Sequence, residues 1–175
     1  MVRVLRWLDE HLEEYILIFL SALTVVVVFY QVFMRYVMGD SSRWSEELAR
    51  YAFIWLIYIG ISYGVKKQRH ITVDAFLMLF KAKGKVILNI AANLLFLAFS
   101  LTMVVYGYDV MMYIFDRNQT SAGLHLPMGY VYAAGPIGMA LTSIRLIQHI
   151  VLQINRLRSG DLEEVEKEFE EHLKQ

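Results

Sequence analysis

Four long apolar stretches alternate with polar connections along the chain. They cover about residues 15–37, 47–65, 86–108 and 128–152, and the first opens with 20 residues that carry no charged side chain. A helix advances about 1.5 Å per residue and the hydrocarbon core of a bilayer is about 30 Å thick, so a stretch of this length can cross it. Unpaired strand edges cannot face lipid, and the alternation of a barrel is missing. All four stretches are therefore predicted to be transmembrane α-helices, the first of them too long for a signal peptide.

Basic residues are concentrated in the connection between the second and third stretches. That connection holds Lys66, Lys67, Arg69, Lys81, Lys83 and Lys85, and further arginines stand near both termini. Cytoplasmic loops of membrane proteins carry the excess of Lys and Arg. The predicted fold class is thus an all-α integral membrane protein, with four transmembrane helices in a domain over residues 1–158 and both termini in the cytoplasm.

Smaller elements are predicted on the same cytoplasmic side. Residues 74–81 are apolar but too short to span, and Asp74 can cap them as a short interfacial helix between the second and third spans. The segment 159–175 is charged, with apolar residues at spacings of three and four. This pattern fits either an amphipathic helix or a solvated tail, and the second is favoured because short isolated helices are marginal in water.

Two features modify the predicted geometry of the third and fourth spans. Pro136 lies within the fourth span, where the missing backbone donor predicts a kink. Apolar and aromatic residues continue from 111 to 115, so the third helix is expected to extend past the hydrocarbon or to tilt, carrying Asp109 with it.

Composition narrows the chemistry that the chain can perform. Hydrophobic residues make up 57% of the sequence, far more than the core of a soluble domain requires, so the surplus must face lipid. The formal net charge is zero, which gives no reason to expect a nucleic-acid partner. There is no cysteine, and only His149 of the five histidines falls on a predicted span, so no haem or metal site and no other cofactor is expected.

Charged residues are predicted at the ends of the spans and not at mid-membrane depth. Arg35 ends the first span, and Glu46, Glu47 and Arg50 open the second. The short connection brings these ends together, so an ion pair or hydrogen-bonded cluster of Arg35 with the two carboxylates is expected, with Ser45 as the N-cap. Arg145, near the inner end of the fourth span, is interpreted as an end anchor or as a helix-to-helix ion pair.

Two further patterns concern helix packing. Gly60 and Gly64 form a GxxxG spacing on the second span, which allows another helix to approach closely. Trp44 flanks that span as an interfacial residue would, whereas Trp55 lies deeper and is expected to pack against a helix.

Several ordered motifs resemble one membrane protein family. They are Arg35-Tyr36, Trp44-Ser-Glu-Glu-Leu-Ala-Arg50-Tyr51, Trp55, Gly60, Arg69-His70-Ile-Thr-Val-Asp74, and the segment 120–128 with Pro127, followed by Tyr132 and Pro136. In this order they are similar to the small membrane subunit of TRAP transporters, the tripartite ATP-independent periplasmic transporters. One departure is Met34, where the family often has Asn before Arg-Tyr.

The resemblance implies a supporting role in a bacterial inner membrane. It implies a large multi-span membrane subunit as partner, which would carry the substrate and sodium sites, and a periplasmic substrate-binding protein that delivers an organic acid such as sialic acid or a C4-dicarboxylate. The small subunit, in contact with membrane lipids, would be a scaffold. Its external face, with Arg43, Glu46, Asp116 and Arg117, would help to dock the binding protein.

Two other classes of function remain open from the residues alone. A membrane anchor of a redox enzyme predicts paired helical histidines, which the spans lack. A self-sufficient channel or exporter formed by homo-oligomerisation through Gly60 and Gly64 predicts transport by this chain alone. The chain has no broken helices at matching positions, which a complete transporter usually needs, and no nucleophile with a base at one depth, so it is not expected to be an enzyme.

Overall fold

The computed structural model describes residues 2–39, 42–67 and 82–159, and the regular elements in these ranges are helices. The helices are α1 (Val2–Phe33), which continues as a π-helix (Met34–Met38), α2 (Arg43–Lys66), α3 (Ala82–Asp116), the short α4 (Gly129–Tyr132) and α5 (Ala134–Ser159). In the described part of the chain, the only β pairing is one isolated bridge between Thr120 and Pro127.

The four predicted spans are confirmed as helices long and apolar enough to cross a membrane. The segments that qualify are His11–Met38, Arg43–Lys66, Ile87–Asp116 and Gly129–Asn155. The third continues to Asp116, as the apolar residues after 108 indicated. The predicted interfacial helix over residues 74–81, the motif residues Arg69 and His70, and the tail from residue 160 lie outside the described residues.

The long helices pack in an order that differs from their order along the chain. Extensive contacts join α1 to α2, α2 to α5, and α5 to α3. In the most apolar 18-residue window of each span, 28% and 33% of the residues of the second and fourth spans are buried, against 6% for the first and third. The second and fourth spans are therefore central, and α1 and α3 are outer helices with broad exposed apolar surfaces.

Small residues bring the central helices α2 and α5 together. A methyl group on Gly138 of α5 would lie 2.6 Å from the Cβ of Tyr58 and 2.9 Å from its carbonyl oxygen. Only glycine permits this approach, because backbone atoms on the other side cannot move aside. The buried face of α2 is likewise formed mostly by small residues: Ser45, Ala49, Ala52, Ile59, Ser62 and Val65. Close backbone approach through small residues is the usual way in which helices associate in membranes.

Hydroxyl and amide side chains join α5 to the outer helix α3. The buried Ser100 and Ser143 hydroxyls are 2.8 Å apart, and Asn93 Nδ2 donates to Gln153 Oε1 at 3.3 Å. Each serine hydroxyl also lies within hydrogen-bond distance of a carbonyl of the preceding helical turn, so the two hydroxyl protons of the pair can make two of these three contacts and both are satisfied without water. Such contacts contribute about 0.6 kcal/mol each on average in membrane proteins.

Pro136 interrupts the fourth span instead of bending the middle of a helix. The helical segment is broken at Ala133, so Pro136 falls in the first turn of α5. A backbone N–H in the first turn has no intrahelical acceptor, so the N–H that proline lacks is not needed there. Its ring packs against α3, with Cδ 3.3 Å from the position of a Cβ on Gly107. The predicted kink is thus a break three residues before the proline.

The connection between α1 and α2 begins with a glycine in a left-handed conformation. Gly39 has φ 70° and donates its backbone N–H to the carbonyl of Met34, which ends the π-helix. The prediction that Ser45 caps α2 is wrong. Ser42 holds the N-cap position, and the buried Ser45 donates its hydroxyl back to the Ser42 carbonyl at 2.8 Å.

Candidate functional site

Polar clusters lie at opposite ends of the helix assembly. One surrounds Glu13, near the start of α1 and the end of α2. The other lies where residues 117–128, here called loop 117–128, meet the start of α2, and this side of the molecule is called the loop end. Between the two ends the helices are predominantly apolar.

Glu13 is the centre of a buried ionic cluster that joins α1, α2 and α5. Its side chain is 2% exposed. Oε1 accepts from Arg145 Nε at 3.0 Å and from the Ser62 hydroxyl at 3.1 Å, and Oε2 lies 3.4 Å from Lys66 Nζ. The carboxylate thus contacts both central helices from an outer helix.

The surroundings of Glu13 explain how a charge can be buried in this region. Two cations face one carboxylate, and the side chains of Arg145 and Lys66 are only 11% and 17% exposed. Removing one partner of such a buried pair typically costs about 3–5 kcal/mol, because the remaining charge is left uncompensated. Arg145 therefore forms the helix-to-helix ion pair that was one of its two predicted roles.

Glu47 attaches loop 117–128 to the start of α2. Its two carboxylate oxygens accept the consecutive backbone N–H groups of Gly123 and Leu124, each at 3.0 Å. The loop lies directly on the helix there: a methyl group on Gly123 would be 3.1 Å from the backbone of both Arg43 and Trp44. A charged acceptor with two amide donors is stronger than a neutral hydrogen bond.

Loop 117–128 is also cross-linked within itself. Ser121 N–H donates to the Leu126 carbonyl at 2.9 Å, Met128 N–H donates to the Gln119 carbonyl at 2.8 Å, and Leu126 N–H donates to the Ser121 hydroxyl at 3.2 Å. Asn118 and His125 have φ of 48° and 52°, a conformation that costs energy for residues other than glycine. The loop is therefore held in one defined conformation by its own hydrogen bonds and by Glu47.

A cavity opens at the base of the same loop. Its volume is about 290 Å³, and Phe115 and Tyr130, whose rings meet edge to face, form part of its wall. Asn118, Gln119 and Thr120 supply polar atoms, and the described residues that line the cavity include no carboxylate or amine side chain. The cavity can accept an uncharged group with both apolar surface and a hydrogen-bonding edge.

The predicted cluster of Arg35 with both carboxylates is not found among the described residues. Glu46 instead pairs with Arg50 one helical turn later at 2.6 Å, and both side chains are more than half exposed. Glu47 accepts backbone N–H groups of loop 117–128, and Arg35 is exposed on the π-helix. The short connection does bring the helix ends together, but backbone N–H donors of a distant segment are the partners of Glu47.

The packing residues predicted from sequence have unequal roles. A methyl group added to Gly60 would lie 3.9 Å from Leu17 Cδ2, an ordinary van der Waals contact. A methyl group on Gly64 would have no described atom within 4 Å. The glycine that approaches α2 most closely is instead Gly138 of α5, opposite Tyr58. Trp44 stacks at a tilt on Tyr30 with ring centroids 5.4 Å apart, and Trp55 is half-buried.

The residues predicted for docking are all at the loop end. Arg43, Asp116 and Arg117 are exposed, and the guanidinium of Arg117 lies 4.4 Å from the ring centroid of Tyr113. Pro127 pairs with Thr120 in the bridge that closes the loop. These positions form one surface together with the exposed side of loop 117–128.

Glu13 is the important residue that the sequence interpretation missed. It precedes the uncharged run, where it looks like part of a solvated helix end. A signal was present: Glu13, Thr24 and Gln31 fall on the same helical stripe as the buried Val27. In a helix that is apolar on every side, such polar positions indicate the protein-facing side.

These features define a class of protein: a multi-pass α-helical membrane protein whose polar groups join its own helices and leave wide apolar faces for lipid or another membrane subunit. A family model described as "Tripartite ATP-independent periplasmic transporters, DctQ component" matches residues 24–156. The chain belongs to this family of small TRAP transporter permease subunits.

Relatives named as TRAP transporter permeases agree with the family assignment. The C4-dicarboxylate TRAP transporter small permease protein DctQ of Vibrio cholerae is 27% identical, over 93% of this chain and 83% of its own length. The sialic acid TRAP transporter small permease protein SiaQ of the same species is 28% identical, over 62% of each chain. The isethionate TRAP transporter permease protein DctMQ of Oleidesulfovibrio alaskensis is 26% identical over 90% of this chain, which corresponds to 26% of that protein. All three names describe transporter permeases and none an enzyme.

Proposed function

We propose that this chain is the scaffold subunit of its TRAP transporter. It would support a large multi-span membrane subunit in the bacterial inner membrane and help to dock a periplasmic substrate-binding protein. The observation that carries the proposal is the distribution of polar contacts. Buried polar groups join the helices of this chain to one another, while the outer helices α1 and α3 keep broad apolar faces. A protein built in this way can hold a partner at a fixed position without providing a path for the substrate.

A large membrane partner is supported by one of the relatives. The segment of the DctMQ permease that resembles this chain is about a quarter of that protein, so its remaining portion is covalently joined to a small-subunit segment. We infer a separate large subunit for this chain, in contact with the apolar face of an outer helix, and lipids on the faces that remain.

The orientation that we propose places both termini in the cytoplasm. The basic connection between α2 and α3 supports it, and the loop end then faces the periplasm. Because the chain has no cysteine, labelling of single introduced cysteines can determine the orientation of the chain in the membrane. A cysteine in place of Arg117 should react with an impermeant maleimide in intact cells, whereas one in place of Lys67 should react only after permeabilisation. The reverse pattern would contradict the proposed topology.

The transported compound is proposed only as a class. As the resemblance implies, we propose sodium-coupled uptake of an organic acid of the sialic acid or C4-dicarboxylate type. Two relatives carry these substrates in their names, while others are named for isethionate and ectoine. In this proposal the substrate contacts lie in the partner subunits, and the small subunit does not select the compound.

Charge reversal at the loop end tests the docking role. Arg43→Glu, Glu46→Lys, Asp116→Lys and Arg117→Glu together reverse the local pattern and leave the net charge unchanged. We expect binding-protein-dependent uptake to fall several-fold while the membrane complex is recovered in normal amount, because complementary charges chiefly affect the encounter of partners. Raised salt should reduce the difference between wild type and variant. Unchanged uptake by the variant would contradict docking through these residues.

A further inference from the structure

We infer that Glu47 is a positioning residue for the binding-protein docking surface: its carboxylate fixes loop 117–128 in the conformation that the partner recognises. This inference rests on the proposed function and adds to it. The charged residues of the loop end provide attraction, whereas Glu47 would act through the backbone of the loop and touch no partner.

The Glu47 carboxylate binds the loop with both of its oxygens. Both oxygens accept consecutive N–H groups, from Gly123 and Leu124, in the middle of the loop and 76 and 77 residues away in sequence. Glu46, its neighbour, has only an exposed pair with Arg50 in its own helix. Exposed pairs of that kind contribute about 0.3–0.5 kcal/mol and do not fix another segment. Of these two carboxylates, therefore, only Glu47 determines where the loop lies.

Loop 117–128 adopts a backbone conformation that its contacts must maintain. Asn118 and His125 both adopt positive φ, which persists only where surrounding contacts determine it. Fixing the backbone of one residue costs roughly 1–2 kcal/mol of conformational entropy. If the loop were free, a partner would have to provide this ordering on binding, and its affinity would fall accordingly. The Glu47 contact orders the loop before the partner binds.

The fixed loop presents an exposed surface next to a cavity. The side chains of Gln119, Ala122, His125 and Leu126 are exposed, while Ser121 is buried beneath them. Beside them lies the 290 Å³ cavity, whose mixed polar and apolar wall fits an uncharged side chain of a docking protein. A surface of polar groups around one pocket is typical of a transient protein interface.

The test measures uptake into proteoliposomes that contain the complete membrane complex, at increasing concentrations of the binding protein. For Glu47→Ala we expect the half-saturating concentration of binding protein to rise roughly tenfold, with the maximal rate and the amount of complex retained. Glu47→Gln, which keeps one acceptor oxygen, should fall between Ala and wild type. A purely structural role would instead lower the amount of complex or the maximal rate.

Two further variants make the test independent of how Glu47 variants assemble. Gly123→Ala leaves Glu47 in place but puts a methyl group 3.1 Å from the backbone of Arg43 and Trp44, so the loop must shift by a few tenths of an ångström, and the half-saturating concentration should rise in the same direction. Tyr51→Phe is the matched control: it removes the only other described side-chain hydrogen bond from α2 to the end of this loop, to the Met128 sulfur at 3.4 Å. Thioethers are weak acceptors, so wild-type behaviour is expected.

A spin label separates this inference from the docking proposal. Placed on a cysteine introduced at the exposed Ala122 of the full-length chain, it should become more mobile in Glu47→Ala and not in Tyr51→Phe. A label that stays immobile overturns the inference, and so does a mobile label with an unchanged half-saturating concentration. The docking proposal is judged separately, by the charge-reversed variant: it fails if that variant, with its loop still immobile, takes up substrate normally.

Discussion

At the scale of single residues, two buried or half-buried carboxylates have the most defined roles. The sequence placed Glu47 correctly at the start of a span but predicted the wrong partner, because a carboxylate that binds backbone N–H groups needs no recognisable side chain opposite it. Glu13 was missed for a different reason. Its partners, Lys66 and Arg145, lie on two other helices, and helix order in space cannot be derived from hydropathy.

Removing the Glu13 carboxylate should destabilise the chain strongly. Glu13→Ala removes the buried carboxylate that Arg145 Nε and Lys66 Nζ both contact, with an expected loss of about 3–5 kcal/mol. The melting temperature of the purified chain in mild detergent, followed by tryptophan fluorescence, should fall by roughly 10 °C. Glu14→Ala is the matched control, since Glu14 stands next to Glu13 but outside the cluster. Equal melting temperatures for the two variants would contradict the role given to the ionic cluster.

At the scale of elements, the number of helices and their approximate limits were predictable and their contacts were not. Each span is long and apolar, which hydropathy detects directly. The glycine spacing on α2 pointed to Gly60 and Gly64, yet the glycine that approaches α2 most closely is Gly138 of α5, opposite Tyr58. A glycine pattern shows where a helix could approach another one, but the complementary surface of the neighbour decides whether it does. The break at Ala133 also depends on packing, since the Pro136 ring lies against Gly107.

Paired glycine variants test this difference between α2 and α5. Gly138→Ala would place a methyl group against the Tyr58 backbone, so α2 and α5 must separate, at a cost of about 1–3 kcal/mol. Gly64→Ala meets no described atom and should leave stability unchanged or raise it by up to about 1 kcal/mol, the difference between Gly and Ala in a helix. Thermal unfolding of both isolated variants measures this. A larger loss for Gly64→Ala than for Gly138→Ala would contradict the described packing.

At the scale of the whole molecule, the order α1, α2, α5, α3 produces two central helices and two outer ones. At one end the Glu13 ionic cluster joins α1 to α2 and α5, and at the other end Glu47 joins α2 to loop 117–128. Positive-inside counting and family motifs indicated a supporting membrane subunit, and the family is now shown by the match to residues 24–156. The arrangement of the helices and both polar clusters required the three-dimensional structure.

Reconstitution of uptake tests most directly the claim that this chain supports transport and does not perform it. Proteoliposomes would contain either the purified chain alone or the chain with its large permease subunit, with the binding protein and radiolabelled substrate outside in both cases. We predict no uptake above that of empty vesicles by the chain alone, and uptake when the large subunit is included. Substrate accumulation by the chain alone, with or without the binding protein, would contradict the account.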